Sequence, residues 1–188
     1  MSNVRSHRVT SAALLGLYWE PRAQSLSEST SFLLGAFGRL AIAGYAAFYR
    51  KGRSLRGAKA QPLVASKQSV ESLLSLGVNR KDLGNELIPE LGRSFGLWSG
   101  GAEEFAYEFS GLLGSTSLYA KNCLVLRLPS TGPLALSNNE ARIKELFKSS
   151  VEVVQPQEAV VCEASAIAWQ DGRLSLRIPA FLHWSSET

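Results

Sequence analysis

Residues 9–19 form a mostly apolar run that closes on Trp19, which predicts a first β-strand. Ser25 and Glu28 then stand three apart, the spacing of a capping box in which each side chain covers the other's free amide. Behind that box Leu33, Phe37, Leu40, Gly44 and Phe48 fall on one stripe near the 3.6-residue period. This predicts a helix that ends at Tyr49-Arg-Lys-Gly52, where cations and a glycine suit a helix C-terminus. Val70, Leu73 and Leu74 predict a short helix over 68–76 that stops at Gly77. A polar turn at 78–84 follows, then a strand over 93–98 broken by Ser99-Gly100-Gly101. Residues 105–117 and 122–128 read as two further strands of an antiparallel hairpin or meander.

Ser137 and Glu140 repeat the capping-box spacing ahead of Ile143, Leu146, Phe147 and Val151, the clearest amphipathic helix in the chain. Gln155-Pro156 ends it. A short strand over 158–163 and one or two more within 174–184 complete the order β-α-α-β-β-β-α-β-β. That order predicts an α+β fold: a single domain over 1–188, with a mostly antiparallel sheet packed by a long N-terminal helix and a second amphipathic helix.

At 188 residues and 45% hydrophobic, the chain is long and apolar enough to bury a core as one domain. No repeat period is present. Residues 32–49 are apolar enough to raise a membrane span, but Arg39 at their middle favours a buried helix instead. Arg5 and Arg8 ahead of 9–18 faintly resemble a signal peptide. The run leads into Trp19-Glu-Pro21 rather than a small-residue cleavage site, so a strand is the better reading.

Candidate chemistry is sparse. The two cysteines, Cys123 and Cys162, lie in apolar strand-like runs and read as buried thiols. With two histidines, His7 and His183, they make four scattered N/S donors, a poor set for zinc, so no metal and no cofactor is expected. Asp occurs only at 82 and 171, and neither a Gly-x-Ser-x-Gly elbow nor a phosphate-cradling glycine motif is present. The fourteen glutamates could supply an acid–base pair, but sequence cannot bring two of them face to face. A non-enzyme is expected.

Charge is unevenly placed. Residues 1–59 carry nine Lys/Arg against two Glu, residues 60–120 four against seven acids, and 121–188 seven against seven. The basic excess centres on Arg50, Lys51, Arg53, Arg56 and Lys59, which read either as a solvated loop or as an electrostatic nucleic-acid contact lacking aromatic interleaving. The acidic run is Glu86, Glu90, Glu103, Glu104 and Glu108, interrupted by Arg93. It reads as a solvated face or, beside Trp98, as a surface for a basic partner.

Three segments carry a family resemblance: Tyr49-Arg-Lys-Gly-Arg-Ser54, Leu73-Leu-Ser-Leu-Gly-Val-Asn-Arg-Lys-Asp82 and Glu90-Leu-Gly-Arg-Ser-Phe-Gly-Leu-Trp-Ser-Gly100. Together they resemble immunity protein 52 of bacterial polymorphic-toxin systems. Its pattern has an aromatic residue before an Arg-Lys-Gly-Arg/Lys-Ser loop, a Gly-x-Asn-Arg-x-Asp turn, a Leu-Gly step and a strand ending Leu-Trp-Asn-Gly. Ser99 and Tyr49 depart from it, standing where Asn and Trp are common. The resemblance implies a cytoplasmic α+β antidote that binds and neutralises a cognate toxin without catalysis. The family accompanies toxins with restriction-endonuclease-like nuclease domains, often delivered between competing bacteria by secretion machinery, type VI secretion among them. A nuclease presents a basic cleft, so the implied toxin-binding set is Glu103, Glu104 and Glu108 with Trp98 as anchor, Trp98 having core packing at a strand end as its other reading. The implied partner is the toxin alone, with no membrane and no direct nucleic-acid contact. The competing reading is a small nucleic-acid-binding module using residues 50–59. The Asn79-Arg80-Asp82 turn and the Arg-Lys-Gly-Arg loop could instead be structural, since Asn and Asp side chains can close such turns by bonding backbone amides.

Overall fold

The structure, a computed structural model, describes residues 13–50, 61–81, 85–100, 102, 104–163, 167–170, 173–176 and 180–186. Its centre is an eight-stranded sheet in which every neighbouring pair is antiparallel. In chain order the strands are β1 (Ala13–Trp19), β2 (Tyr49–Arg50), β3 (Gln61–Pro62), β4 (Arg93–Trp98), β5 (Glu108–Leu113), β6 (Asn122–Arg127), β7 (Glu158–Glu163) and β10 (Leu182–Ser185). Between the last two, β8 (Ile167–Gln170) and β9 (Arg173–Leu176) form a separate two-stranded hairpin. The large sheet runs β10-β7-β1-β6-β5-β4-β2-β3, so β5 and β6 pair as expected, β4 extends them into a meander, and β1 lies inside the sheet between β7 and β6. With helices α1 (Leu26–Ile42), α2 (Lys67–Leu76) and α3 (Leu136–Val154), this is the expected α+β arrangement.

Alternation along the strands decides which face is covered. Leu15, Leu17 and Trp19 of β1, Phe95 and Leu97 of β4, Phe109 of β5 and Leu124 and Leu126 of β6 join one core with Leu33, Phe37 and Leu40 of α1. Val70, Leu73 and Leu74 of α2 and Ile143, Leu146 and Phe147 of α3 complete it, so all three helices use their apolar stripes as the periodicity predicts. The opposite face carries a smaller cluster of Leu14, Tyr18, Val160 and Cys162. β1 is therefore buried on both sides, as its unbroken burial shows.

The first capping box forms as expected: Ser25 N–H donates to Glu28 Oε2 at 2.7 Å, and Glu28 N–H donates to Ser25 Oγ at 3.2 Å. The helix does not reach residue 49. It stops at Ile42, because Gly44 takes φ +97, a conformation that a side chain resists. The apolar residues beyond it are buried without being helical. Tyr45 and Phe48 turn into an aromatic cluster with Tyr107 and Phe109, with ring centroids 5.1–5.8 Å apart. The chain then continues as strand β2, which like β3 is two residues long. Gly52 lies outside the described residues.

The second capping box does not form. Ala135 precedes α3 without a side-chain cap, and Asn139 breaks helical geometry at φ −134. Its amide is drawn sideways instead, Asn139 Nδ2 donating to Tyr45 Oη at 3.2 Å, while Tyr45 Oη donates to the Leu134 carbonyl at 2.7 Å. Glu140 pairs with Lys144 at 2.6 Å. A tertiary bond has replaced the local one. The strand expected over 105–117 is shorter, Glu108–Leu113, and residues 9–12 of the first strand lie outside the described residues.

Candidate functional site

The strand directions define two ends of the sheet. The C-terminal end of β4, the N-terminal end of β5 and the C-terminal end of β6 lie together, where Trp98, Glu108 and Arg127 are successive cross-strand partners. The row extends to Tyr49 of β2 on one side and Leu14 of β1 on the other. Since directly paired residues share a face, Trp98 and Glu108 project together from the face opposite the main core. Trp98 is half-buried at a strand end. Glu108 is also partly exposed and has Arg127 Nη1 at 3.9 Å, so part of its charge is compensated within the protein.

Glu104 sits in an exposed turn just ahead of β5. Its carbonyl oxygen accepts from Thr131 N–H at 3.1 Å and from the Ser130 and Thr131 hydroxyls at 3.3 Å, which fixes the turn against residues 130–131. Its carboxylate has no ion-pair partner among the described residues. Next to it Phe105 is 56% exposed, a large apolar side chain that the strand pattern alone assigned to a β-strand. Glu103 lies outside the described residues. Of the expected set, Trp98, Glu104 and Glu108 therefore come to one end of the sheet, with Phe105 added and Arg127 as an unforeseen counter-charge.

The rest of the acidic run does not join them. Glu90 lies at the other end of β4, and Glu86 lies beyond it in the 77–93 hairpin, paired with Lys81 at 2.6 Å. A six-residue strand spans about 20 Å, so the run is divided between two ends of the sheet. At Glu90 the functional group is the backbone. Its carbonyl accepts from Thr116 N–H at 2.9 Å, Ser117 N–H at 3.1 Å and Ser115 Oγ at 3.1 Å, bracing the β5–β6 loop.

That hairpin also explains the motif residues. Gly77 packs so closely on β4 that an added Cβ would lie 1.8 Å from the Ser94 carbonyl oxygen. Asn79 Nδ2 donates to the Leu91 carbonyl at 3.1 Å, and Arg80 Nη1 donates to the Asn85 carbonyl at 3.0 Å. Gly92, the glycine of the Leu-Gly step, has φ +64, and a Cβ there would meet the Leu113 carbonyl oxygen at 2.4 Å. These residues close a turn onto the sheet, as the structural reading anticipates. Asp82 lies outside the described residues.

The basic stretch is described only at Arg50, half-buried in β2 opposite Gln61, while Lys51, Arg53, Arg56 and Lys59 lie outside the described residues. Cys162 is buried and Cys123 half-buried. Burial pushes both thiols up, Cys162 to about 11, so neither is poised as a thiolate. Among the described residues no three His, Cys, Asp or Glu side chains converge as metal ligands, and no helix is long and apolar enough to cross a membrane.

An antiparallel sheet with its helices packed on one face thus carries Trp98, Glu104, Phe105 and Glu108 at one end. A family model described as Immunity protein 52 matches residues 12–172, most of the chain. The chain belongs to the immunity protein 52 family, and with that family goes an antitoxin role exercised by binding a cognate toxin. No curated protein matches it.

Proposed function

We propose that the chain acts in the cytoplasm as the one-to-one inhibitor of a nuclease toxin of restriction-endonuclease-like fold, used in competition between bacteria and delivered by secretion machinery such as type VI. Inhibition is by occlusion and needs no catalysis. The contact surface is the sheet end carrying Trp98, Glu104 and Glu108, with Phe105 as an apolar anchor beside them, and Glu103 joins the proposed set on the sequence alone.

Family membership supports the antitoxin role, and the observation that carries the choice of surface is the Glu104–Phe105 turn. It combines a carboxylate without an ion-pair partner among the described residues and an exposed aromatic ring, on backbone held by three hydrogen bonds from residues 130–131. Rigid presentation lowers the ordering cost of binding, and aromatic anchors ringed by charge are the residues on which interface energy concentrates. A nuclease must present a cationic cleft to nucleic acid, and acidic groups on the inhibitor compete for it and speed encounter.

Reversing Glu103, Glu104 and Glu108 together to Lys should weaken toxin binding by about tenfold or more, chiefly through slower association at low salt, with the protein still folded and its melting temperature lowered only by the loss of the exposed Glu108–Arg127 pair. Unchanged affinity in a folded variant removes this surface from the interface.

A further inference from the structure

The helix layer holds a second feature at the same end of the molecule. α1 runs back along the sheet and ends at Ile42, a few residues before Tyr49 pairs with Trp98. α3 begins shortly after Arg127, the cross-strand partner of Glu108. The C-terminal turn of α1 and the N-terminal half of α3 therefore meet near the edge that carries Trp98 and Glu108, tied together by the Tyr45–Leu134 hydrogen bond. Between them lies an open groove of about 430 Å³ lined by Arg39, Ile42, Ala43, Arg142, Glu145 and Leu146, among others.

Two properties of this groove are unusual for a solvated surface. Ile42 is 86% exposed on its rim, an apolar side chain that the fold leaves uncovered. Arg39 and Arg142 contribute two guanidinium groups, and neither makes an ion pair or hydrogen bond among the described residues. Arg39 is half-buried, and burial without a compensating carboxylate pushes its pKa below the ordinary value. Glu145 also lines the groove, but its carboxylate is engaged by Lys148 at 3.4 Å. Arg39 is thus a partly desolvated donor and Arg142 an exposed one beside it, both with the planar fork that suits carboxylates.

We propose that this groove seats an acidic, apolar-flanked segment of the cognate toxin, with Arg39 and Arg142 pairing its carboxylates and Ile42 covering its apolar flank. The inference rests on the toxin-binding reading above and extends the contact from the acidic sheet edge around to the helix layer. Charge complementarity selects the occupant: two uncompensated cations beside an apolar rim reject a basic segment and favour an acidic one. An interface that is acidic on one edge and cationic on the next also fixes register, because sliding or inverting the partner brings like charges together.

The test uses the whole protein and a candidate cognate toxin, with affinity measured by calorimetry and melting temperature measured alongside. Arg142 and Ile42 are exposed, so Arg142→Glu and Ile42→Asp should fold normally while weakening the complex by about tenfold each, with Arg142→Gln falling between wild type and Arg142→Glu. Wild-type binding with both variants within about twofold overturns the groove and leaves the toxin-binding reading intact. A wild-type protein that retains no toxin overturns that reading and the groove's occupant with it. If sedimentation instead shows a self-associated wild type that Arg142→Glu dissociates, the occupant is a second copy of this chain and the proposal is wrong.

Discussion

Tyr45 joins α1, the loop before α3 and the kink at Asn139, so its hydroxyl sits under the end of the molecule assigned to the toxin. Tyr45→Phe keeps the buried ring and opens no cavity. It deletes the group that donates to the Leu134 carbonyl at 2.7 Å and accepts from Asn139 Nδ2 at 3.2 Å. A hydrogen bond nets about 0.5–1.5 kcal/mol, and a buried partner left unmet costs about 1–3 kcal/mol. The Leu134 bond is short and the Asn139 bond lies at the long end of the range, so the combined loss is about 2 kcal/mol. In a domain of this size that lowers Tm by about 4–8 °C. Asn139→Ala alone should cost less, because the Tyr45 hydroxyl still reaches Leu134. The two changes together should cost less than their sum, with a coupling of about 1 kcal/mol. Urea titration of the four proteins in this cycle measures each term. A Tyr45→Phe variant that melts within about 1 °C of wild type, with no coupling to Asn139, would refute the claim that this bond holds α3 in its kinked geometry.

Other expectations follow from the same structure. Gly92→Ala should cost more than about 3 kcal/mol, since it forces a side chain into φ +64 and against the Leu113 carbonyl, whereas Gly38→Ala, with open space around its Cβ on α1, should stabilise by about 0.5–1 kcal/mol; denaturant melts of both compare them directly. Stability should fall at alkaline pH. Burial raises Tyr45 from 10.0 to about 12 and also raises Tyr18 and Tyr107, so these phenols stay protonated in the folded state after the unfolded chain has begun to lose its protons. The Tyr45 contribution is complete below pH 10 and is lost as pH rises through about 12, a slope that guanidinium titrations should record and that Tyr45→Phe should flatten.

Local rules were enough wherever packing agreed with them. The Ser25–Glu28 box, the stripes of α2 and α3 and the β5–β6 pair stand where periodicity put them, because each buries its apolar face against one sheet. They failed where a distant residue outbid a local one. The apolar run through Phe48 continues a helical period, but Gly44 turns the chain and Tyr45 is buried from a loop, bonded to Leu134. Ser137 and Glu140 have capping-box spacing, but the α3 entrance is set by the Asn139–Tyr45 bond. β2 and β3 are two residues long, too short to leave a pattern, and β8 passed unnoticed between β7 and β9.

The site was less legible than the fold, for a related reason. Gly77, Asn79 and Gly92, within the segments that betray the family, hold a hairpin against β4, so they report how the chain folds rather than what it binds. The acidic residues cluster in the middle third of the sequence, yet β4 separates Glu86 and Glu90 from Glu104 and Glu108. Conversely, Arg39 and Arg142 are distant in sequence and meet only because α1 and α3 pack side by side. No period or spacing marks such a pair.

We propose that this chain silences a nuclease by binding it. The most direct measurement is a titration of the co-expressed candidate toxin's nuclease activity against increasing immunity protein, with the complex isolated by size exclusion. The account predicts a stable complex and activity lost at a single equivalent, with a residual that rises when Glu103, Glu104 and Glu108 are reversed. A toxin that stays fully active and elutes apart from an excess of folded protein would contradict it.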